Sequence, residues 1–418
     1  MRKRFTANLA TTAATAAITA CLVTGASAQS TGEAGDDAPA RTDLMTFAQG
    51  VLPVSISASA DFRTAMEHAI GAIDGNPRNY VMTPRFGGPA DTLEIVYALP
   101  APTRFDSFAV PNVLETPSPS QTFFQNVEVL GSAESAEGPF VPLASGTLTE
   151  HEERGLSTAL TMAGDQTDVL WVKLRLSGGL DVQVENTFFE FSEIIGTGTQ
   201  ASAPQSDLFS GIWDGRGVDI ELAQEGVSVT GCYDRGSRLS GTVDGTVLRA
   251  IGADEAGIPS HFILIATDDG ALRGLRSSNG APFRPYDGQA SNDAPVCLPP
   301  EPPALGCGDT VYGISFDFDS DVIRASSSTV LDDLYAGLSG DAATGIQIIG
   351  HSSSEGADDY NRDLSQRRAA SVVAALAERG LDAGRMTALG MGEDEPIASN
   401  DDEAGRSLNR RVEISCAG

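Results

Sequence analysis

Apolar and polar positions alternate along most of the first two thirds of the chain, and the period changes only near the end. Thr92–Ala98, Phe105–Val110, Val127–Leu130 and Val169–Leu176 each alternate with a period of two, and each is bounded by Gly, Pro or polar residues. This predicts half-buried strands of an antiparallel β-sandwich over about residues 44–197. From 207 to 285, short apolar runs alternate with Gly-containing turns such as Asp244-Gly245 and Asp269-Gly270. These are hairpin signals and predict a small antiparallel β domain, a meander or open barrel. Trp213 and Tyr233 lie there; their first reading is core, and a ligand cup is the alternative.

Beyond residue 307 the periods mix. Val311–Phe318 predicts a strand. Ser326–Leu338 carries Val330, Leu331, Leu334 and Leu338 at helical spacing, and Gly345–Gly350 predicts a short buried strand. Leu364–Arg379 predicts a helix with Val372, Val373 and Leu376 inward, and Gly380 is placed to end it. Met386–Leu389 and Arg411–Ser415 complete a β-α-β-α-β-β order, an α+β fold with two helices on one sheet. Residues 29–43, 198–206 and the Pro-rich 286–306 are the predicted linkers, the last one stiff.

The first 28 residues have the form of a secretory signal. Arg2, Lys3 and Arg4 precede a small apolar stretch, and Ala26-Ser27-Ala28 fits a cleavage site. An alternative is lipidation at Cys21, in Ile18-Thr19-Ala20-Cys21. Removal of residues 1–28 takes three basic and no acidic side chains from the formal charge of −30, leaving −33. Such acidity argues against nucleic-acid partners and anionic membrane surfaces. Export favours disulfides among Cys232, Cys297, Cys307 and Cys416. Of three pairings, Cys307–Cys416 is preferred because these two bracket the C-terminal region, and Cys232–Cys297 then follows.

The C-terminal blocks FDFDSDVI, GHSSSEG, YNRDLSQRRA and GRSLNRRVEI, in that order, resemble the OmpA-like peptidoglycan-binding family. The resemblance covers about a quarter of the chain and implies non-covalent binding of the cell wall through a diaminopimelate-type stem peptide. That residue presents an ammonium and a carboxylate together, so a site needs an acceptor and a guanidinium. On the family pattern, Arg368 takes the carboxylate, Asn361 contacts the ligand and Asp317 offers a further polar contact. The family's GHTD aspartate is here Ser353, which carries no charge; Glu355, two residues on, is the candidate to restore it. Arg367 reads as a surface salt-bridge arginine, and Arg406, Asn409, Arg410 and Arg411 match the closing block, with Arg410 and Arg411 expected to be structural.

A second resemblance lies in AIDGNPRNYV, LPAPTRFDSFAV, VEVLGSAESAEGPFVPLASGTL, VLWVKLRLSG and FFEFSEIIG. These segments are similar to the discoidin or galactose-binding-like jelly roll, which implies a loop-borne ligand such as a glycan. Asp74, Arg78, Arg85 and Phe86 are the loop candidates, and ordinary turn residues are the simpler reading of each.

Catalytic signals are missing from the sequence. The four histidines are scattered, with no metal-ligand spacing, nucleophile elbow or phosphate-binding loop. Asp317, Asp319 and Asp321 begin like a calcium loop, yet Val322 and Ser328 stand where that loop needs Gly and Glu. No cofactor or metal is expected. The chain therefore reads as an exported, non-enzymatic envelope protein of the periplasm, associated with peptidoglycan and the outer membrane, with a glycan or outer-membrane protein as second partner. The alternatives are a cell-wall or glycan-active hydrolase and a glycan-binding adhesin acting through the sandwich.

Overall fold

The structure is a computed structural model. It describes residues 42–59, 66–77, 81–85, 92–111, 121–148, 157–178, 187–215, 217–234, 236–297, 305–317, 319–340 and 345–417. The signal segment with Cys21, most of the 29–43 linker, residues 298–304, Arg78 and Phe86 lie outside these, and of Arg85 only the backbone is described.

The N-terminal region is built on one 20-residue strand, Thr92–Pro111. The sequence predicts two strands here, because Pro100 and Pro102 interrupt the pattern. The chain nevertheless stays extended through them. Leu93, Ile95, Tyr97, Leu99, Ala101, Thr103 and Phe105 all point inward, and then the phase flips to Phe108 and Val110. The flip coincides with a register shift against Ile195–Gln200, where Ser107 faces Thr197 but Phe105 faces Gly198. An extra residue in one strand moves every later side chain to the opposite face. The prolines are tolerated because the partner strand Val169–Ser177 shifts register there, between Ala98 and Thr103. This strand anchors an eight-stranded sheet, and a three-stranded sheet lies beside it. The smaller sheet is not wholly antiparallel, since Thr187–Phe191 runs parallel to Gln121–Phe123.

Residues 211–290 form a closed eight-stranded barrel in which each strand pairs with the next, and Gly211–Gly215 closes on Arg284–Ala290. Closure leaves no sheet edge exposed. It also moves the predicted boundary, because the chain stays in the barrel to Ala290 and Tyr286 lies in its core. Trp213 and Tyr233 are core residues of the same interior. The strand Pro259–Ala266 is buried on both faces: Phe262 and Leu264 fill the barrel, while Ile263 and Ile265 join the sandwich core. The sandwich and barrel thus share apolar packing and are not beads on a flexible tether. The predicted 198–206 linker is likewise structured. Gly198–Gln200 continues a sandwich strand, and Ser206 bonds Gly245 and Gln224 of the barrel.

The C-terminal region has a four-stranded sheet in the order Thr310–Val311, Val412–Ala417, Gly345–His351, Met386–Gly392. Helices Ser328–Ser339 and Asp358–Glu378 pack with it, burying Val330, Leu331, Leu334, Leu338, Val372 and Leu376. Two details differ from the predicted order. The first strand is only Thr310–Val311, because the next residues turn onto the barrel: Tyr312 exchanges hydrogen bonds of 2.8 and 3.1 Å with Thr242, and Ser315 Oγ donates to Asp244 at 3.3 Å. A third helix, Glu403–Asn409, precedes the last strand, capped by Asp402, whose Oδ1 accepts from Gly405 N at 2.7 Å. Disulfides join Cys307 to Cys416 and Cys232 to Cys297, the preferred pairing. Glu221 braces the second by accepting from the Val296 and Cys297 amides at 2.9 Å.

Candidate functional site

The site forms where the strand Gly345–His351 gives way to the long helix. His351 N donates to Arg411 O and Ser352 N to Gly392 O, so two neighbouring segments fix the loop Ser352–Gly356. Gly356 has φ +106°, which a side chain would strain. The helix begins at Asp358, six residues earlier than its apolar pattern shows. Asp358 and Asp359 in its first turn favour its positive end and give the periodicity no apolar mark.

Ser353 is buried, and its hydroxyl donates to Glu355 Oε2 at 3.1 Å. Glu355 is exposed but engaged, with Arg406 Nε at 3.7 Å and Arg410 Nη1 at 3.5 Å. Asn361 is buried in the first helical turn. Its amide donates to Ser353 O at 3.3 Å and to Glu393 Oε2 at 2.5 Å, so it pins the loop from within. Ser353, Glu355 and Asn361 therefore come together at the start of the helix.

Arg368 lies seven residues along the helix from Asn361, about two turns or ~10 Å. Its guanidinium stacks over the Phe316 ring at 4.9 Å, and Nε donates to Ser320 O at 3.0 Å. Among the described residues no carboxylate lies within ion-pair distance of it. Burial first, then the Arg410 and Arg367 charges, pull its pKa down to about 10, opposed by Asp319 and Asp321. It stays cationic at neutral pH, and an incoming carboxylate would relieve this crowding of positive charge. Arg367 is the salt-bridged neighbour, paired with Asp363 at 2.9 Å and Asp321 at 3.4 Å. Asp317 is exposed and pairs with Arg324 at 3.3 Å; in sequence it lies between Phe316 and Ser320, the two residues that Arg368 touches.

Three residues that sequence reasoning missed complete the site. Glu393 follows Gly392, whose positive φ of 59° turns the chain after its strand. The signal available was a glycine placed directly after an apolar run. Glu403 is buried and receives both Arg410 and Arg406, the latter at 3.0 Å. The two arginines hold its carboxyl below the usual range against the cost of burial. Asn400 accepts from Ser354 N at 3.3 Å and from Asn409 Nδ2 at 2.9 Å. Asn409 in turn holds Ile397 and Ala398 by three bonds, and buried Arg411 pairs with Glu413, so the closing block is largely structural.

The sandwich reaches this site. Gly75 O accepts from Glu403 N at 2.9 Å, and a Cβ on Gly75 would lie 2.2 Å from that of Glu403. The Asp74 turn, a sugar-binding candidate in the sequence, faces the C-terminal region.

The helix Asp358–Glu378 thus carries Arg368, with no ion-pair carboxylate among the described residues, about two turns from the loop that Asn361 holds. Residues 315–410 match the OmpA family model, and the chain carries an OmpA family domain there. Outer membrane porin F of Pseudomonas fluorescens is 43% identical over 102 residues, 24% of this chain and 31% of that protein. Outer membrane protein A of Bordetella avium is 38% identical over 122 residues, 29% of this chain and 63% of that protein. The chain spans less than two thirds of the length of these relatives. Among solved structures, the peptidoglycan-associated lipoprotein from Burkholderia pseudomallei is 32% identical with a TM-score of 0.23, over 26% of this chain and 88% of that one.

Proposed function

We propose that this is an exported cell-envelope protein that binds peptidoglycan non-covalently through its C-terminal domain, linking envelope or outer-membrane partners to the wall. The observation that carries the reading is Arg368, a half-buried guanidinium crowded by cations and without a carboxylate of its own among the described residues. A stem-peptide carboxylate supplies what it lacks, and a diaminopimelate residue brings the ammonium alongside. The match of residues 315–410 to the OmpA family model and the resemblance of the GHSSSEG and LSQRRA blocks support this ligand. The sandwich, with its discoidin-like segments, is the region offered to a glycan or protein partner.

The reading is of a binder, not a hydrolase. The full mature chain should co-sediment with purified sacculi and leave a peptidoglycan zymogram blank. Clearing of the zymogram, or a chain that stays in the supernatant, would contradict it.

A further inference from the structure

We propose that Glu393, and not Glu355, is the carboxylate that receives the stem-peptide ammonium; this rests on the peptidoglycan reading above. The need arises at Ser353, a neutral residue where the ligand's ammonium calls for an acidic partner. Glu355 is nearest in sequence, but its two oxygens face Arg406 at 3.7 Å and Arg410 at 3.5 Å and also accept from Ser353. Its charge is balanced before any ligand arrives. A carboxylate already shared by two guanidiniums gains little from a third cation and keeps the loop in place instead.

Glu393 is held differently. Among the described residues its only partner is the neutral Asn361 amide, at 2.5 Å. Among the described residues no cation shares it, and a carboxylate accepts more than one hydrogen bond. The same Asn361 nitrogen bonds Ser353 O at 3.3 Å, so Glu393 lies one amide group from the position where the charge is missing. Its backbone is fixed as well: Gly392 N donates to Ser365 Oγ at 2.8 Å, and Gly392 O accepts from Ser352 N at 2.8 Å. Glu393 is half-buried, so the carboxylate is both reachable and partly desolvated. Asn361 then acts as a positioning residue, holding Glu393 and the Ser353 loop together. Helical side chains lean towards the helix N-terminus, so Arg368 inclines towards Asn361.

The experiment titrates the full mature chain with two soluble probes. One is a stem tripeptide ending in diaminopimelate; the other is the same peptide with its diaminopimelate amine acetylated. Wild type should prefer the free amine by roughly ten- to a hundredfold, the worth of one charge-assisted contact. Glu393→Gln should erase that preference, Glu393→Asp should restore part of it, and Glu355→Gln should leave it intact. A change that merely loosened the loop would weaken both probes alike. The proposal is overturned if Glu393→Gln still discriminates the amine, if Glu355→Gln abolishes the preference, or if Glu393→Gln weakens both probes equally. Arg368→Ala separates the two levels: if it binds the free-amine probe as wild type does, the peptidoglycan reading itself fails.

Discussion

Glu403 shows how much of the site depends on one side chain. Its carboxylate is the shared partner of Arg406 and Arg410, and its backbone amide bonds the sandwich at Gly75. Removing its charge leaves the two partly buried guanidiniums only the exposed Glu355, at 3.7 and 3.5 Å; breaking a buried pair costs on the order of 3–5 kcal/mol. Glu403→Gln should therefore lower the urea midpoint clearly, while the surface substitution Asp363→Asn, at the exposed Arg367 pair, should change stability by less than about 1 kcal/mol. Equal losses would show that the buried cluster is not the keystone proposed. At this scale the sequence was partly legible. The family resemblance singles out Arg368 and leaves Arg367 as a surface salt-bridge arginine, and Arg410 and Arg411 read as structural. Glu403 and Glu393 were not, because an acid among 57 shows its role only when the fold brings its partners to it.

Among elements, periodicity found the strands and the two longer helices, and it failed where a residue's environment is not solvent on one face. Glu403–Asn409 is a short helix buried nearly all round, with Ala404 and Leu408 in the sandwich core, so it carries no amphipathic stripe. Val311–Phe318 alternates like a strand, but Tyr312 and Ser315 bond the barrel instead of a sheet neighbour. Only its first residue, Val311, pairs with the last strand, next to Thr310, and Cys307–Cys416 ties the same two segments across 109 residues. A loop of that length gives the disulfide its largest effect on the unfolded chain. Cys307→Ser with Cys416→Ser should lower stability by about 2–5 kcal/mol, read as an earlier urea midpoint. An unchanged midpoint would mean that the bond does not secure the fold.

The described molecule holds its three regions together through shared cores and buried polar contacts. Arg249 of the barrel donates to Ala48 O of the sandwich at 2.6 Å and lies 3.9 Å from Asp244, which in turn bonds Ser315 of the C-terminal region. Near the same junction, burial pushes Asp43 up to about 7, with Glu403 adding to the shift and the Gly196 and Met45 amides opposing it. Glu193 is also raised, by burial and by Asp43 and Asp74. A carboxyl raised in the fold contributes stability that is complete below its unfolded pKa and lost as pH rises through the folded one. The melting temperature should thus fall between about pH 4 and pH 8. Asp43→Asn, which keeps the acceptor oxygen for Met45 and Gly196, should flatten that fall; an unchanged slope would locate the titration elsewhere. The sequence could not foretell this junction, since it read 198–206 and 286–306 as spacers and a linker's composition does not show what it packs against. The central claim remains that Arg368 receives a peptidoglycan carboxylate, and co-sedimentation with purified sacculi tests it most directly. Arg368→Ala should lose roughly ten- to a hundredfold in affinity while Arg367→Ala binds as wild type does; wild-type binding by Arg368→Ala, or an equal loss in both variants, would contradict the account.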